Sequence, residues 1–128
     1  KEGAKVVLSD LAGSDGAARA QALDAMGARC LFMPCDVTST EQVDALVANT
    51  VEQWGSVDIV FANAGIGGTG DAADTTDADY LRTIDINLGG TFNGCRAAIP
   101  AIAAADEPGA IENRGAVWVC MLSTVLVD

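Results

Sequence analysis

The chain has 128 residues, half of them apolar, with a formal net charge of −11 and a pI near 4.1. This length suits one domain with a modest core, and the charge repels phosphate backbones and acidic membrane surfaces, which excludes nucleic acid as a partner. Because no apolar run reaches the roughly 18 residues of a membrane span, we expect no membrane anchor, no signal peptide and a cytoplasmic location.

Short apolar runs alternate with helical patterns in the first third of the chain. We predict a strand at 4–8, a helix at 17–26 and a second strand at 29–33. Gly27 is predicted to cap the helix, because glycine adopts the backbone conformation that ends helices without a steric penalty.

The clearest amphipathic helix follows. Thr38 and Glu41 have the spacing of a capping box, and apolar residues then recur at intervals of three and four. We predict that Thr38 caps this helix and that Gly55 ends it. A strand at 57–62, with a composition that suits burial on both faces, comes next, and a glycine-rich turn at 65–70 closes it.

A long helical region is predicted after Thr76, with Pro100 bending or ending it. The segment 106–114 is predicted as a loop and 116–122 as the last strand. Strands that alternate with helices of ten or more residues are typical of βαβ crossovers, so the predicted class is α/β with a doubly wound parallel sheet.

The cysteines and the absence of histidine limit the possible chemistry. No pair of cysteines has C-x-x-C spacing, and without histidine we predict no metal site and no Ser-His-Asp or Cys-His catalysis. The four thiols are expected to be free, as in most cytosolic proteins: Cys30, Cys35, Cys95 and Cys120.

Polar residues follow three of the predicted strands, where open parallel sheets bind ligands. These residues are Asp10, Asp36 and Asn63. Asp10 can accept two hydrogen bonds from an adenosine ribose and would repel a 2′-phosphate, and neither Leu11 nor the next three residues offer a cation for that phosphate. This pattern favours NAD over NADP. The alternative for Asp10 is a simple turn cap.

Four ordered blocks of sequence resemble classical short-chain dehydrogenases/reductases: KVVLSD at 5–10, CDVT at 35–38, ANAG at 62–65 and DINLGG at 85–90. The resemblance covers about residues 1 to 100. It implies that 1–128 is a partial NAD(P)-binding domain with a Rossmann-like, three-layer α/β/α fold, truncated at both ends. A flavodoxin-like or response-regulator fold shares the alternation but does not explain ANAG with Asn87 downstream.

The resemblance implies roles for residues that would hold the cofactor. Asp36 would hydrogen-bond the adenine amino group and Val37 would line the adenine pocket, the alternative for Asp36 being a turn before the helix. Asn63 would tie neighbouring strands, while Ala64 and Gly65 would let the backbone approach the cofactor. Ala62 replaces the first asparagine of the family motif. The alternative for Gly65 is a purely steric turn glycine.

The resemblance also implies catalytic residues. Asn87 would help hold a water in a proton relay, the alternative being a buried amide satisfied by local backbone. Ser123 and Thr124 compete for the place of the catalytic serine, the alternative for both being a turn-forming role. The family's Tyr-x-x-x-Lys pair is missing, because Tyr80 is followed four residues later by Ile84.

The activity that the resemblance implies is hydride transfer between NAD and a secondary alcohol or ketone. The family's glycine-rich phosphate loop would fall before residue 1, so these residues alone are expected to bind NAD poorly and not to turn over. The alternative is an inactive remnant with only a nucleotide-binding or interaction role. A homo-oligomer through the helix near Tyr80 is also expected from the resemblance.

Overall fold

The structure is a computed structural model that describes residues 4–67, 71–105, 110–113 and 123–127. In these ranges strands and helices follow in the order β1 (Lys5–Asp10), α1 (Gly16–Ala25), β2 (Arg29–Pro34), α2 (Thr40–Trp54), β3 (Ile59–Ala62), α3 (Asp77–Ile84), a π-helical segment (Asp85–Gly89), α4 (Gly90–Ala103), β4 (Ala110–Asn113) and β5 (Ser123–Val127).

The strands form one sheet in the order β2-β1-β5-β3-β4. β1 pairs in parallel with β2, as the alternating pattern predicts, and β3 pairs in parallel with β4. β5 lies between β1 and β3 and is antiparallel to both, which corrects the prediction of a wholly parallel sheet. Only residues 114–122 join β4 to β5, and a parallel connection needs a dozen or more residues.

Two apolar clusters lie on opposite faces of the sheet. Val7 belongs to the larger cluster with residues of α2 and α4, whereas its neighbour Leu8 packs with Ala20 of α1. Successive side chains of a strand point to opposite faces, so helices cover both sides. The predicted three-layer α/β/α arrangement is thereby confirmed.

Several predicted boundaries are wrong in detail. Ser39, not Thr38, is the N-cap of α2, with its Oγ accepting a hydrogen bond from the backbone N–H of Gln42 at 3.4 Å. Pro100 does not end α4, because the backbone N–H of Ala104 still donates to the Pro100 carbonyl at 3.1 Å.

At the far end of the chain, β4 lies inside the segment predicted as a loop. The predicted strand at 116–122 lies outside the described residues. Over the described part of the chain, no helix is long and apolar enough to cross a membrane.

Candidate functional site

The carboxyl ends of β1 and β2 and the segment after β3 border a cleft of about 380 Å³. Its fourth side is formed by α3 and the π-helical segment. The cleft brings together six of the seven residues predicted to hold a cofactor, which are Asp10, Leu11, Asp36, Val37, Ala64 and Gly65. Asn63, the seventh, does not line the cleft, although it is half-buried and has an interaction partner.

Asp10 lines the cleft because it is the last residue of β1. Its Oδ1 accepts a hydrogen bond from the backbone N–H of Leu11 at 2.7 Å, which fixes the carboxylate in the turn. The backbone N–H of Cys35 donates to the Asp10 carbonyl at 2.9 Å and so extends the pairing of β1 with β2. The hydrogen bond from Leu11 engages one of the two carboxylate oxygens of Asp10.

Asp36 organises the segment between β2 and α2. Its Oδ1 accepts hydrogen bonds from the backbone N–H of Thr38 at 2.9 Å and from the Thr38 hydroxyl at 2.8 Å. Its backbone N–H donates to Oε1 of Gln42 at 2.9 Å. These contacts are those of an Asx turn, and they explain why Thr38 is not the cap: its hydroxyl is directed to Asp36 instead.

Val37 is held from the opposite side by α4. The side-chain amide of Asn93 donates to the Val37 carbonyl at 2.9 Å. Gly90 faces the Val37 side chain so closely that a Cβ at position 90 would lie 2.6 Å from Val37 Cγ2. Neither Gly90 nor Asn93 was predicted as a site residue, and they lie three residues apart, on one face of the helix.

Asn87 connects the π-helical segment to the segment after β3. Its Oδ1 accepts from the backbone N–H of Ile66 at 2.8 Å and its Nδ2 donates to the Ile66 carbonyl at 2.9 Å. The amide is thus satisfied by backbone 21 residues away, not by local backbone. A Cβ at Gly65 would approach Asn87 Oδ1 to 3.1 Å, which is tighter than an ordinary van der Waals contact.

Ser9 and Cys35 line the cleft next to Asp10 and Asp36, and both are buried. Burial raises the pKa of the Cys35 thiol, the nearby Ser9 hydroxyl opposes that rise, and the charge of Asp36 adds to it. Ser9 Oγ is buried without a hydrogen bond of regular geometry in the described part of the chain. Neither residue was predicted, because both precede the strand-end positions that the sequence marks.

Ser123 and Thr124 are the first two residues of β5, so the turn-forming alternative given for them is not realised. In the sheet register Ser123 is opposite Ser9, while Thr124 is opposite Leu8 and Phe61. Because β5 runs against β1, its first residue lies at the same edge of the sheet as Asp10. The backbone therefore brings both candidates to the cleft end of the sheet.

Residues 1–117 match the family model described as enoyl-(acyl carrier protein) reductase. A short-chain dehydrogenase from Mycobacterium smegmatis has the same fold, with a TM-score of 0.78 and 36% sequence identity over 84% of this chain and 45% of that one. The chain belongs to the short-chain dehydrogenase/reductase family.

Other members of the short-chain dehydrogenase/reductase family are similarly close. A member from Burkholderia phymatum in complex with NAD gives a TM-score of 0.79 at 31% identity, covering 85% of this chain and 39% of that chain. Among curated relatives, (5R,7aS)-5-hydroxy-7a-methyl-1-oxo-2,3,5,6,7,7a-hexahydro-1H-indene-carboxyl-CoA reductase of Mycobacterium tuberculosis is 40% identical over 117 residues. Trans-4-hydroxycyclohexanecarboxylate dehydrogenase of Sinomonas cyclohexanicum is 39% identical over 109 residues.

These alignments cover 91% and 80% of the present chain but only 45% and 42% of the two relatives. The chain therefore spans less than half the length of these curated relatives. The predicted membership of the short-chain dehydrogenase/reductase family is confirmed, as is the Rossmann-like α/β fold.

Proposed function

We propose that residues 1–128 form part of an NAD(P)-binding domain in an enzyme that transfers hydride between NAD and a secondary alcohol or ketone. The observation that carries this proposal is the carboxylate of Asp10 at the carboxyl end of β1, in a cleft of about 380 Å³ with Asp36, Val37 and Gly65. Ligands of open α/β sheets bind at this edge. The relatives named as a reductase and a dehydrogenase, and the NAD complex of a third, support the same reaction class.

The residues of the cleft fit the adenosine half of a dinucleotide. The second carboxylate oxygen of Asp10 would accept a hydrogen bond from a ribose hydroxyl, and Leu11, 57% exposed, would lie over the sugar. Asp36 would accept from the adenine amino group with the oxygen that Thr38 does not use, while Val37 would pack against the ring. The buried Ser9 hydroxyl, which has no hydrogen bond of regular geometry within the described residues, adds a polar group to the lining of the same cleft.

The cofactor's other half would lie over the segment after β3. Ala64 and Gly65 have little or no side chain, so the backbone there can approach a ligand closely, and Asn63 would stabilise the end of β3. NAD, when bound, supplies the hydride acceptor or donor. Asn87 would keep the 65–66 backbone in place and support a proton relay, and Ser123 or Thr124 would polarise the carbonyl oxygen of the substrate.

The preference for NAD over NADP rests on charge. A 2′-phosphate on the ribose would lie against the Asp10 carboxylate, and the next four residues carry no cation to compensate.

The Tyr-x-x-x-Lys pair of the family does not occur in these 128 residues. We therefore expect these residues alone to bind the cofactor weakly and not to turn over a substrate.

We further propose a cytoplasmic homo-oligomer. Large apolar side chains are exposed along α3, the π-helical segment and α4 at the spacing of one helix face: Leu81, Ile84, Leu88, Phe92 and Ile99. Exposed apolar stripes of this kind mark protein contacts, and a second copy of the chain would bury them.

Calorimetric titration of the 128-residue chain with NAD and NADP tests the cofactor assignment. Asp10→Asn keeps the shape and the hydrogen bond to Leu11 but removes the negative charge, so we expect it to bind NAD more weakly and to lose most of its discrimination against NADP. Asp24→Asn, an exposed change in α1, serves as the matched control and should bind as the parent does.

Two results would contradict the assignment. If the folded chain binds no NAD, only the alternative hypothesis of an inactive remnant would remain. A parent chain that binds NADP as tightly as NAD would remove the role given to Asp10.

A further inference from the structure

Asn93 is the residue of α4 that joins the helix to the segment between β2 and α2. Its Nδ2 donates to the Val37 carbonyl at 2.9 Å, and its Oδ1 lies 3.4 Å from the hydroxyl of Thr40, the first residue of α2. Its partners lie 56 and 53 positions earlier in the sequence. One half-buried amide thus connects α4 to the backbone of Val37 and to the start of α2.

The hydrogen bond from Asn93 to the Val37 carbonyl determines the position of the Val37 backbone in the cleft. On the cleft side Asp36 closes the turn with Thr38, and on the helix side Gly90 allows the close approach of the Val37 side chain. These contacts limit sideways movement, but neither engages the carbonyl of Val37. In the described residues that carbonyl is held by Asn93, which fixes the orientation of the peptide between Val37 and Thr38.

We propose that Asn93 is a positioning residue for the adenosine half of the cofactor, acting through the Val37 carbonyl without touching the ligand. The inference rests on the proposed function, because Val37 matters to binding only if adenosine occupies this cleft. A hydrogen bond between neutral groups has a modest net value, so we expect loss of the Asn93 donor to weaken adenosine binding about fivefold.

The experiment is calorimetric titration of the full chain with 5′-AMP and with NAD. Asn93→Asp keeps the side-chain shape and the acceptor for Thr40 but has no N–H to donate to Val37. We expect both ligands to bind about fivefold more weakly and by the same factor, because the loss lies in the half that they share. In a variant that remains folded, a general loss of stability would not weaken the binding of 5′-AMP and of NAD by the same factor.

Arg96→Ala is the matched control. Arg96 lies on the same helix and pairs with Asp44 of α2 at 2.9 Å, so its removal also breaks a link between α4 and α2, but one that does not reach Val37. It should leave the affinity for 5′-AMP unchanged. Equal losses in Arg96→Ala and Asn93→Asp would overturn the proposal, because helix docking alone would then explain the effect.

A measurement on the unmodified chain does not depend on any variant folding. In NMR spectra, the side-chain amide of Asn93 should shift when 5′-AMP is added, since the Val37 carbonyl that it holds lies at the ligand. Absence of that shift at saturation would overturn the proposal, as would wild-type affinity in Asn93→Asp. If either result is found while the parent chain binds NAD, the proposed function stands and only the role of Asn93 is lost. If the parent chain binds no NAD, the proposed function and the role of Asn93 are both lost.

Discussion

Asn87 and Ile66 form two hydrogen bonds with each other, one through each polar atom of the asparagine amide. The amide thus pairs with the Ile66 backbone as a neighbouring strand would. Ile66 lies in irregular backbone after β3, where no described strand satisfies its N–H and C=O. A residue of the π-helical segment therefore holds one wall of the cleft.

Replacing Asn87 by alanine should destabilise the fold and loosen this wall. Both Ile66 groups would lose their partners in a half-buried setting, and we expect a loss of about 2 kcal/mol in the free energy of unfolding. Urea denaturation measures that loss, and hydrogen exchange should show faster exchange at the Ile66 amide. Asn93→Ala, which leaves Ile66 untouched, is the control; unchanged protection of Ile66 in Asn87→Ala would contradict the interpretation.

Periodicity in the sequence was sufficient to predict the first two strands and first two helices, because each must bury an apolar face that the sequence displays. The strand ends then pointed to Asp10 and Asp36, which do line the cleft. Periodicity could not predict β4, a four-residue strand whose stability comes from backbone pairing with β3 rather than from its own pattern.

Contacts between distant segments could not be predicted from the sequence. A helical pattern shows that Gly90 and Asn93 share a face but not that this face meets Val37, whose position depends on how the whole sheet assembles. The choice between Thr38 and Ser39 as helix cap was also undetermined, since adjacent hydroxyl residues both suit that role. Asp36 decides it by engaging Thr38.

Two glycines of α4 should respond in opposite ways to alanine. A Cβ at Gly94 would meet nothing within 4 Å, and Gly94 borders an apolar cavity of about 40 Å³. Alanine there costs less backbone entropy on folding, so Gly94→Ala should raise the free energy of unfolding by about 0.5 to 1 kcal/mol.

Gly90→Ala should lower the free energy of unfolding by about 1 to 3 kcal/mol, because the new Cβ would clash with Val37. Thermal and urea unfolding measure both, and a stable Gly90→Ala variant would show that Val37 moves freely.

Burial of Cys35 implies a dependence of stability on alkaline pH. The pKa of its thiol is raised above the ordinary value of 9.0, chiefly by burial. The folded chain therefore keeps the proton at a pH where the unfolded chain has lost it. The stabilisation is complete below pH 9 and is lost as the pH rises through the folded pKa. Urea midpoints between pH 7 and pH 10.5 should fall more steeply for the parent than for Cys35→Ala. Parallel profiles would contradict this assignment.

The exposed apolar stripe on α3 and α4 predicts the behaviour of the chain in solution. Leu88 and Phe92 are each 64% exposed and lie four residues apart, hence on one face. If a second copy covers them, the double variant Leu88→Lys with Phe92→Lys should convert a dimer to a monomer, because burying lysine charges in an apolar contact is costly. Met26→Lys is the matched control, since Met26 is 78% exposed and lies on the opposite side of the sheet, after α1. Sedimentation velocity at several concentrations distinguishes the species. A parent chain that is monomeric at every concentration would contradict self-association through this face.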